Sequence, residues 1–285
     1  MQRTAPWILP KPDGPFTPTQ NSVFEKIPLV QKLNRDFIYY LNEAQLLGFM
    51  YEDRILKLGE LIGKRHIKKY IKDENLQKKL IPSYRLGCKR VLISNNYYPA
   101  IAQPNVDVIT DGISKFTKDS VITNDGKERK IDAIICGTGF HVADSFQFFD
   151  VTGKGGIKMK DAFANGPEAY YGTTINGFPN LFMMLGPNTG LGHNSMIYMI
   201  ESQTNYIIDC IQKMQKQHIK SVDVKRDVQD KFNAEIQQKL VGTIWQSGCK
   251  SWYITEDGKN HTVWPGFTLE FRNRTKTINL NDFIL

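Results

Sequence analysis

One stretch constrains the fold more than any other. Asn180-Leu181-Phe182-Met183-Met184-Leu185 runs into Gly186-Pro187-Asn188-Thr189-Gly190-Leu191-Gly192-His193-Asn194-Ser195. A short uncharged apolar run predicts a strand buried on both faces, as in a sheet covered by helices. The glycines let the backbone turn tightly and approach another group closely. Beyond Ser195, apolar residues at Ile197, Ile200, Tyr206, Ile207 and Ile211 predict a long helix to about residue 217. Strand, glycine turn and helix N-terminus are the parts with which α/β sheets present backbone N–H groups to a nucleotide. Gly190-x-Gly192-x-x-Ser195 nevertheless stops one residue short of the pyrophosphate fingerprint, and a turn that only packs helix on strand would need the same glycines. His193 reads as a base or, more commonly at a helix start, as a hydrogen-bonded structural group.

The remaining segments alternate in type. Pro6, Pro10, Pro12, Pro15 and Pro18, with Asp13-Gly14 between them, predict an extended connector. A helical insert of three helices is expected at about 19–80, with Pro28 at a kink or helix start. Strands are expected at 89–94, 106–110, 113–117 and 121–123, with Asn124-Asp125-Gly126 as a turn. A nearly continuous apolar strand at 131–136 ends in Gly137-Thr138-Gly139-Phe140. Asp227 is expected to cap another helix to about residue 240, and the tail from 251 to 271 carries Trp252, Trp264 and a Pro265-Gly266 turn.

Composition removes several classes. The 285 residues hold 37 Lys+Arg against 29 Asp+Glu, a formal charge of +8, and are 41% hydrophobic. That is globular, and neither disordered nor collagenous. The basic surplus invites nucleic acid or a phosphorylated cofactor. Its densest run, Lys64-Arg65-His66-Ile67-Lys68-Lys69, is broken by apolar residues and reads as a solvated helix face, which disfavours nucleic acid. Cys88, Cys136, Cys210 and Cys249 form no C-x-x-C pair. Four free thiols in a reducing cytosol are expected, with no zinc or other metal site and no disulfide framework. The lack of a redox pair also disfavours a disulfide oxidoreductase. No run is long and apolar enough for an integral membrane segment and no leader pattern opens the chain, so a cytoplasmic location is expected. The opening Gln2-Arg3-Thr4 would suit the end of a Rossmann strand whose arginine accepts the 2′-phosphate of NADP; an arginine so placed is as readily just exposed.

Taken in order, five segments resemble the class B flavoprotein monooxygenases, the family of flavin-containing and Baeyer–Villiger monooxygenases. They are Gln2-Arg3-Thr4 with Trp7 and Pro10-x-Pro12-Asp13, Cys88-Lys89-Arg90 with Tyr97-Tyr98-Pro99, Cys136-Gly137-Thr138-Gly139-Phe140, the 186–195 turn, and Ser251-Trp252-Tyr253. The resemblance implies an α/β flavoprotein with two Rossmann-like dinucleotide-binding domains, FAD and NADPH as cofactors, and O2 and a small organic molecule as substrates. By the same resemblance Arg3, Thr4 and Lys89 match positions at the NADPH 2′-phosphate. Arg90 matches the active-site arginine beside the flavin, a role suited to a guanidinium because it keeps its charge and donates in a fixed fork. Gly137, Thr138 and Gly139 match the crossing from the NADPH domain to the FAD domain. Gly186, Pro187, Asn188, Gly190, Leu191 and Asn194 match the strand–helix junction against the flavin. Trp252 matches a tail tryptophan closing over the nicotinamide half.

Neither family glycine fingerprint occurs in the chain. The expectation is therefore a C-terminal portion of the family architecture. Residues 1–141 would be a partial NADPH-binding domain with the helical insert, 142–220 the C-terminal part of the FAD domain, and 221–285 an extension over the active site. Such a portion, alone, is expected to bind FAD poorly and to be inactive. A non-catalytic remnant and another FAD/NAD(P)H oxidoreductase remain as alternatives, and the oligomeric state and the choice of ketone, sulfide or amine stay open.

Overall fold

Helix signals in the first third are met closely. Thr17 caps α1 (Pro18–Lys26) in a reciprocal capping box with Gln20. Pro28 occupies the first turn of α2 (Pro28–Met50), where its missing N–H costs nothing. With α3 (Asp53–Tyr70) and α4 (Glu74–Leu80), the expected insert has four helices where three were expected. The computed structural model describes every residue except 13, 52, 140–149, 249–250 and 256, and the side chain of 53. Asp13, Phe140 and Cys249, each part of a sequence expectation, lie outside the described residues.

The chain divides into two units, residues 1–14 with 54–140, and residues 15–53 with 141–285. The helical stretch is thus split at 53/54. In the first unit β1 (Ile8–Leu9) pairs in parallel with β2 (Leu92–Ile93). Ile8, Ile67, Ile71, Leu80 and Tyr98 form its core, the last from α5 (Tyr97–Ile101). Trp7 donates from Nε1 to the Tyr84 carbonyl at 2.7 Å and packs on Gly63 of α3, where a Cβ would come within 2.9 Å of the indole. An antiparallel ribbon follows: β3 (Ile113–Phe116), β4 (Ser120–Thr123) and β5 (Glu128–Lys130), turning at Gly126 with φ +79°.

In the second unit a single short turn, α6 (Met159–Ala162), joins Ala169, Ile175 and Phe178 in one apolar cluster. Ser195 caps α7 (Met196–Lys216), accepting from the Ile197 N–H. Strand β6 (Asp223–Val224) pairs with β7 (Phe283–Ile284) near the C-terminus. Between them lie α8 (Arg226–Leu240) and α9 (Thr268–Arg274). Lys225, rather than Asp227, is the residue at the α8 cap; Asp227 sits in its first turn, where a carboxylate complements the helix dipole. Arg274 closes this core. Its guanidinium forks onto Glu235 at 2.7 and 2.9 Å among the rings of Tyr171, Phe232 and Trp264.

Several expected strands do not form. Residues 106–110, 131–136 and 180–185 carry no ladder, only Leu92 and Ile93 of 89–94 do, and Ile135 is 97% exposed. An apolar run becomes a strand only when a neighbour accepts its N–H groups. Residues 183 and 186 instead donate to Thr173 and Gly172, an irregular loop. The cysteine expectation also needs correction: Cys136 and Cys210 are free thiols, whereas Cys88 is disulfide-bonded.

Candidate functional site: a glycine turn tied to the tail

The 186–195 turn is built against the C-terminal tail. Asn188 is buried, with φ +55°, a conformation asparagine tolerates better than most residues. Its backbone N–H donates to the His261 carbonyl at 2.8 Å, and its Nδ2 donates to the carbonyls of Asn260 (2.7 Å) and Val263 (3.0 Å). Gly190 bridges Val263 in parallel, donating to Thr262 and accepting from the Trp264 N–H. Asn260 in turn exchanges two bonds with Gln237 of α8 and folds its own Oδ1 back onto the N–H groups of Thr262 and Val263.

The glycines answer to these close approaches. A Cβ at Gly186 would lie 2.4 Å from the Gly172 carbonyl oxygen, and one at Gly190 would lie 2.7 Å from that of Thr262. Backbone meeting backbone explains both positions. What the turn leaves open lies ahead of the α7 cap. Among the described residues, the N–H groups of Leu191 and Gly192 donate to no protein acceptor. The same turn walls a cleft of about 130 Å³ lined by Gly186, Pro187, Gly190, Met196, Trp252 and His261. It is smaller than the several hundred Å³ a whole ligand fills. Trp252 is 44% exposed and packs on Tyr253 at 4.4 Å between centroids. Burial pushes the His261 imidazole below its ordinary range, more than the nearby Glu168 and Asp257 raise it, so it is neutral.

Glu43, which sequence reading did not single out, lies under the same turn. It is 6% exposed. Its Oε1 accepts from Asn194 Nδ2 at 2.6 Å and from Thr268 Oγ1 at 2.7 Å, and its Oε2 accepts from the Thr268 N–H at 3.0 Å. His193 Nε2 stands 3.4 Å away. Burial raises the Glu43 carboxyl, but the neighbouring His193 and the hydrogen bonds from Thr268 and Asn194 outweigh it and hold the group below its usual range. Asn194 also accepts from the Ser195 N–H, so its side chain is engaged on both ends. The signal in sequence was a lone carboxylate on the face that carries Tyr39, Leu46 and Phe49.

In the first unit, Arg3 and Thr4 are exposed beside Gln2, which donates its N–H to the Ile109 carbonyl. Lys89 is half-buried with Nζ 4.9 Å from the Tyr84 ring centroid, while Arg90 is exposed. Among the described residues Arg3 and Arg90 have no protein hydrogen-bond or ion-pair partner. Gly137, Thr138 and Gly139 are exposed, Gly139 with φ +94°. No cluster of metal-ligating residues occurs among the described residues, and none of their helices is long and apolar enough to cross a membrane.

Comparison with known proteins places this architecture. The fold is α/β and Rossmann-like, shared with monooxygenases of known structure. A crystal structure of OTEMO in complex with FAD and NADP superposes with a TM-score of 0.80 at 21% identity, over 96% of this chain and 59% of that one. An oxidised steroid monooxygenase bound to NADP gives 0.81 at 18% identity, covering 96% and 58%. No family model matches the chain. Curated sequences are closer: a Baeyer–Villiger monooxygenase of Pseudomonas aeruginosa is 48% identical over 100% of this chain and 54% of its own length. A second, from Streptomyces coelicolor, is 39% identical over 99% and 55%. Along its whole length the chain is thus similar to Baeyer–Villiger monooxygenases, and it spans about half the length of the curated relatives it matches.

Proposed function

We propose that the chain is the substrate-side portion of an FAD- and NADPH-dependent monooxygenase that inserts one atom of O2 into an organic substrate, with a ketone-to-ester conversion as the favoured reaction. The observation that carries this is 48% identity to a Baeyer–Villiger monooxygenase along the whole chain. FAD, when bound, supplies the redox chemistry that O2 activation requires. The protein's part is binding, charge and exclusion of water. The N–H groups of Leu191 and Gly192 and the cleft walls of Pro187 and Trp252 fit the edge of a flat, oxygen-bearing ring. The Arg3 guanidinium, free of partners among the described residues, suits a phosphate, and Thr4 and Lys89 are assigned the same role. Arg90, equally free, would hold negative charge that develops on the oxygen being transferred. Gly137, Thr138 and Gly139 form the crossing between a nucleotide domain ending near 141 and an FAD-side domain over 142–220, with 221–285 as the cover. The reading includes a cytoplasmic location, where NADPH is the standing electron donor.

The test is made on the intact protein expressed from its native locus. Bound flavin absorbance, NADPH-driven oxygen uptake and ester formation from a ketone are expected. An intact protein that carries no flavin and consumes no oxygen refutes the reading. In that protein Arg90→Ala should abolish oxygenation while flavin remains bound; undiminished turnover would remove Arg90 from the chemistry.

A further inference from the structure

We infer that Glu43 is the positioning residue of the 190–195 turn: one buried carboxylate, reached from a helix about 150 residues away in sequence, sets how that turn presents its free N–H groups. As a statement about ligand binding it rests on the function proposed above; as a statement about the turn it does not.

The geometry has three parts. The Glu43 oxygens take donors from the starts of two helices: Asn194, immediately before the α7 cap, and Thr268, the first residue of α9. Both are helix N-termini, where partial positive charge favours an anion. At α9, whose cap position Phe267 makes no side-chain hydrogen bond, the carboxylate stands in for the missing cap by accepting from the Thr268 N–H; α7 keeps its own cap in Ser195 and is reached through the Asn194 side chain. Second, Asn194 is held at its other end by the Ser195 N–H, so its side chain is a strut between Glu43 and the start of α7. A strut fixed at both ends transmits displacement; withdrawing Glu43 frees Asn194 and with it the backbone of 190–194. Third, the surroundings make the charge costly to keep for any other reason. Glu43 is 6% exposed, and the groups facing it are Tyr39 on its own helix, His193 on the turn, Tyr198 of α7 stacked on Tyr39 at 5.0 Å, and Thr268. No arginine or lysine is within ion-pair distance of it among the described residues. A buried carboxylate without a permanent cation is retained only where its acceptors are filled, and here three short bonds fill them.

Glutamine is the informative replacement. Its single carbonyl can serve Asn194 and the Thr268 hydroxyl, but its NH2 group would then face the Thr268 N–H, donor against donor. Aspartate keeps the charge and withdraws it by one methylene.

The experiment is amide NMR of the 285-residue chain together with thermal unfolding, in Glu43→Gln, Glu43→Asp, Asn194→Ala and the Gln/Ala double variant. Leu46→Ala, a truncation on the buried face of the same helix, serves as the control. Glu43→Gln should move the Gly190, Gly192 and Asn194 amides, Asn194→Ala should move the same set, and the double variant should add little to either. Glu43→Asp should recover part of the native shifts. Leu46→Ala should lower the melting temperature and leave those three amides in place. The inference is overturned if Glu43→Gln lowers the melting temperature without moving the turn, or if Leu46→Ala moves the turn as much. In the intact protein, flavin affinity should fall roughly tenfold in Glu43→Gln, about 1.4 kcal/mol. Failure of the wild-type protein to bind flavin would refute the proposed function and leave the NMR result standing.

Discussion

Asn188 offers the sharpest separation between a residue that holds ligand and one that holds the chain. Its amide nitrogen donates to two carbonyls, and these differ. The Asn260 carbonyl keeps a second donor in Gln237, whereas that of Val263 has no other among the described residues. Asn188→Ala therefore orphans one buried acceptor, at about 1–3 kcal/mol, and loses a second bond worth about 1 kcal/mol. It also removes Oδ1, which is buried without a partner, and this returns about 1 kcal/mol. The left-handed backbone adds a fraction more for alanine. The sum is about 2–3 kcal/mol, or roughly 5–10 °C in melting temperature for a chain of this size. Asn188→Asp has the same shape and should be worse, because it points a carboxylate at two carbonyl oxygens in a buried site. Such a carboxyl has its folded-state pKa raised, so its penalty is fully present above that pKa and shrinks as pH falls towards 4 and the group protonates. Urea unfolding followed by tryptophan fluorescence should thus find Asp below Ala at pH 7.5 and the two converging near pH 5. Equal stabilities at pH 7.5, or a gap that widens in acid, would refute the placement of this amide.

Other outcomes follow from the same packing. Because burial depresses the His261 imidazole, the unfolded chain binds its proton first as pH drops; stability due to this group is complete above about 6.5 and lost below it. A His261→Gln variant should flatten the urea midpoint between pH 6.5 and 5, and an unchanged slope would place the titration elsewhere. Cys210 is fully buried with its thiol pushed up to about 11, so peptide mapping after iodoacetamide at pH 8 should find exposed Cys136 alkylated and Cys210 intact. Arg274→Lys keeps the charge but not the fork onto Glu235, and should cost about 1–2 kcal/mol by urea unfolding; a neutral result would assign the site to aromatic packing alone.

Local signals were legible where they are complete within a few residues. Ser195 followed by an apolar stripe at Ile197, Ile200, Ile207 and Ile211 marked α7, and Asn124-Asp125-Gly126 between short β-branched runs marked the β4–β5 turn. The runs at 131–136 and 180–185 misled because hydrophobicity reports that a segment suits burial, while a strand needs a partner that sequence does not name. The glycine turn was found, but Gly186 and Gly190 turned out to admit neighbouring backbone and Asn188 and Asn194 to hold the chain's own groups. Glu43, Asn260 and Gln237 went unread since their partners lie up to 225 residues away. The site was visible as a place, and its supports were not.

The ties from Asn188 and Glu43 into residues 260–268 bear on how such proteins can be recombined. Tails are tempting units to exchange between relatives when altering selectivity, because they lie at one end of the chain. Here a grafted tail would meet an amide and a carboxylate whose acceptors and donors were matched to the original. A chimera joined near residue 250 should work only if positions 43, 188 and 237 travel with the graft.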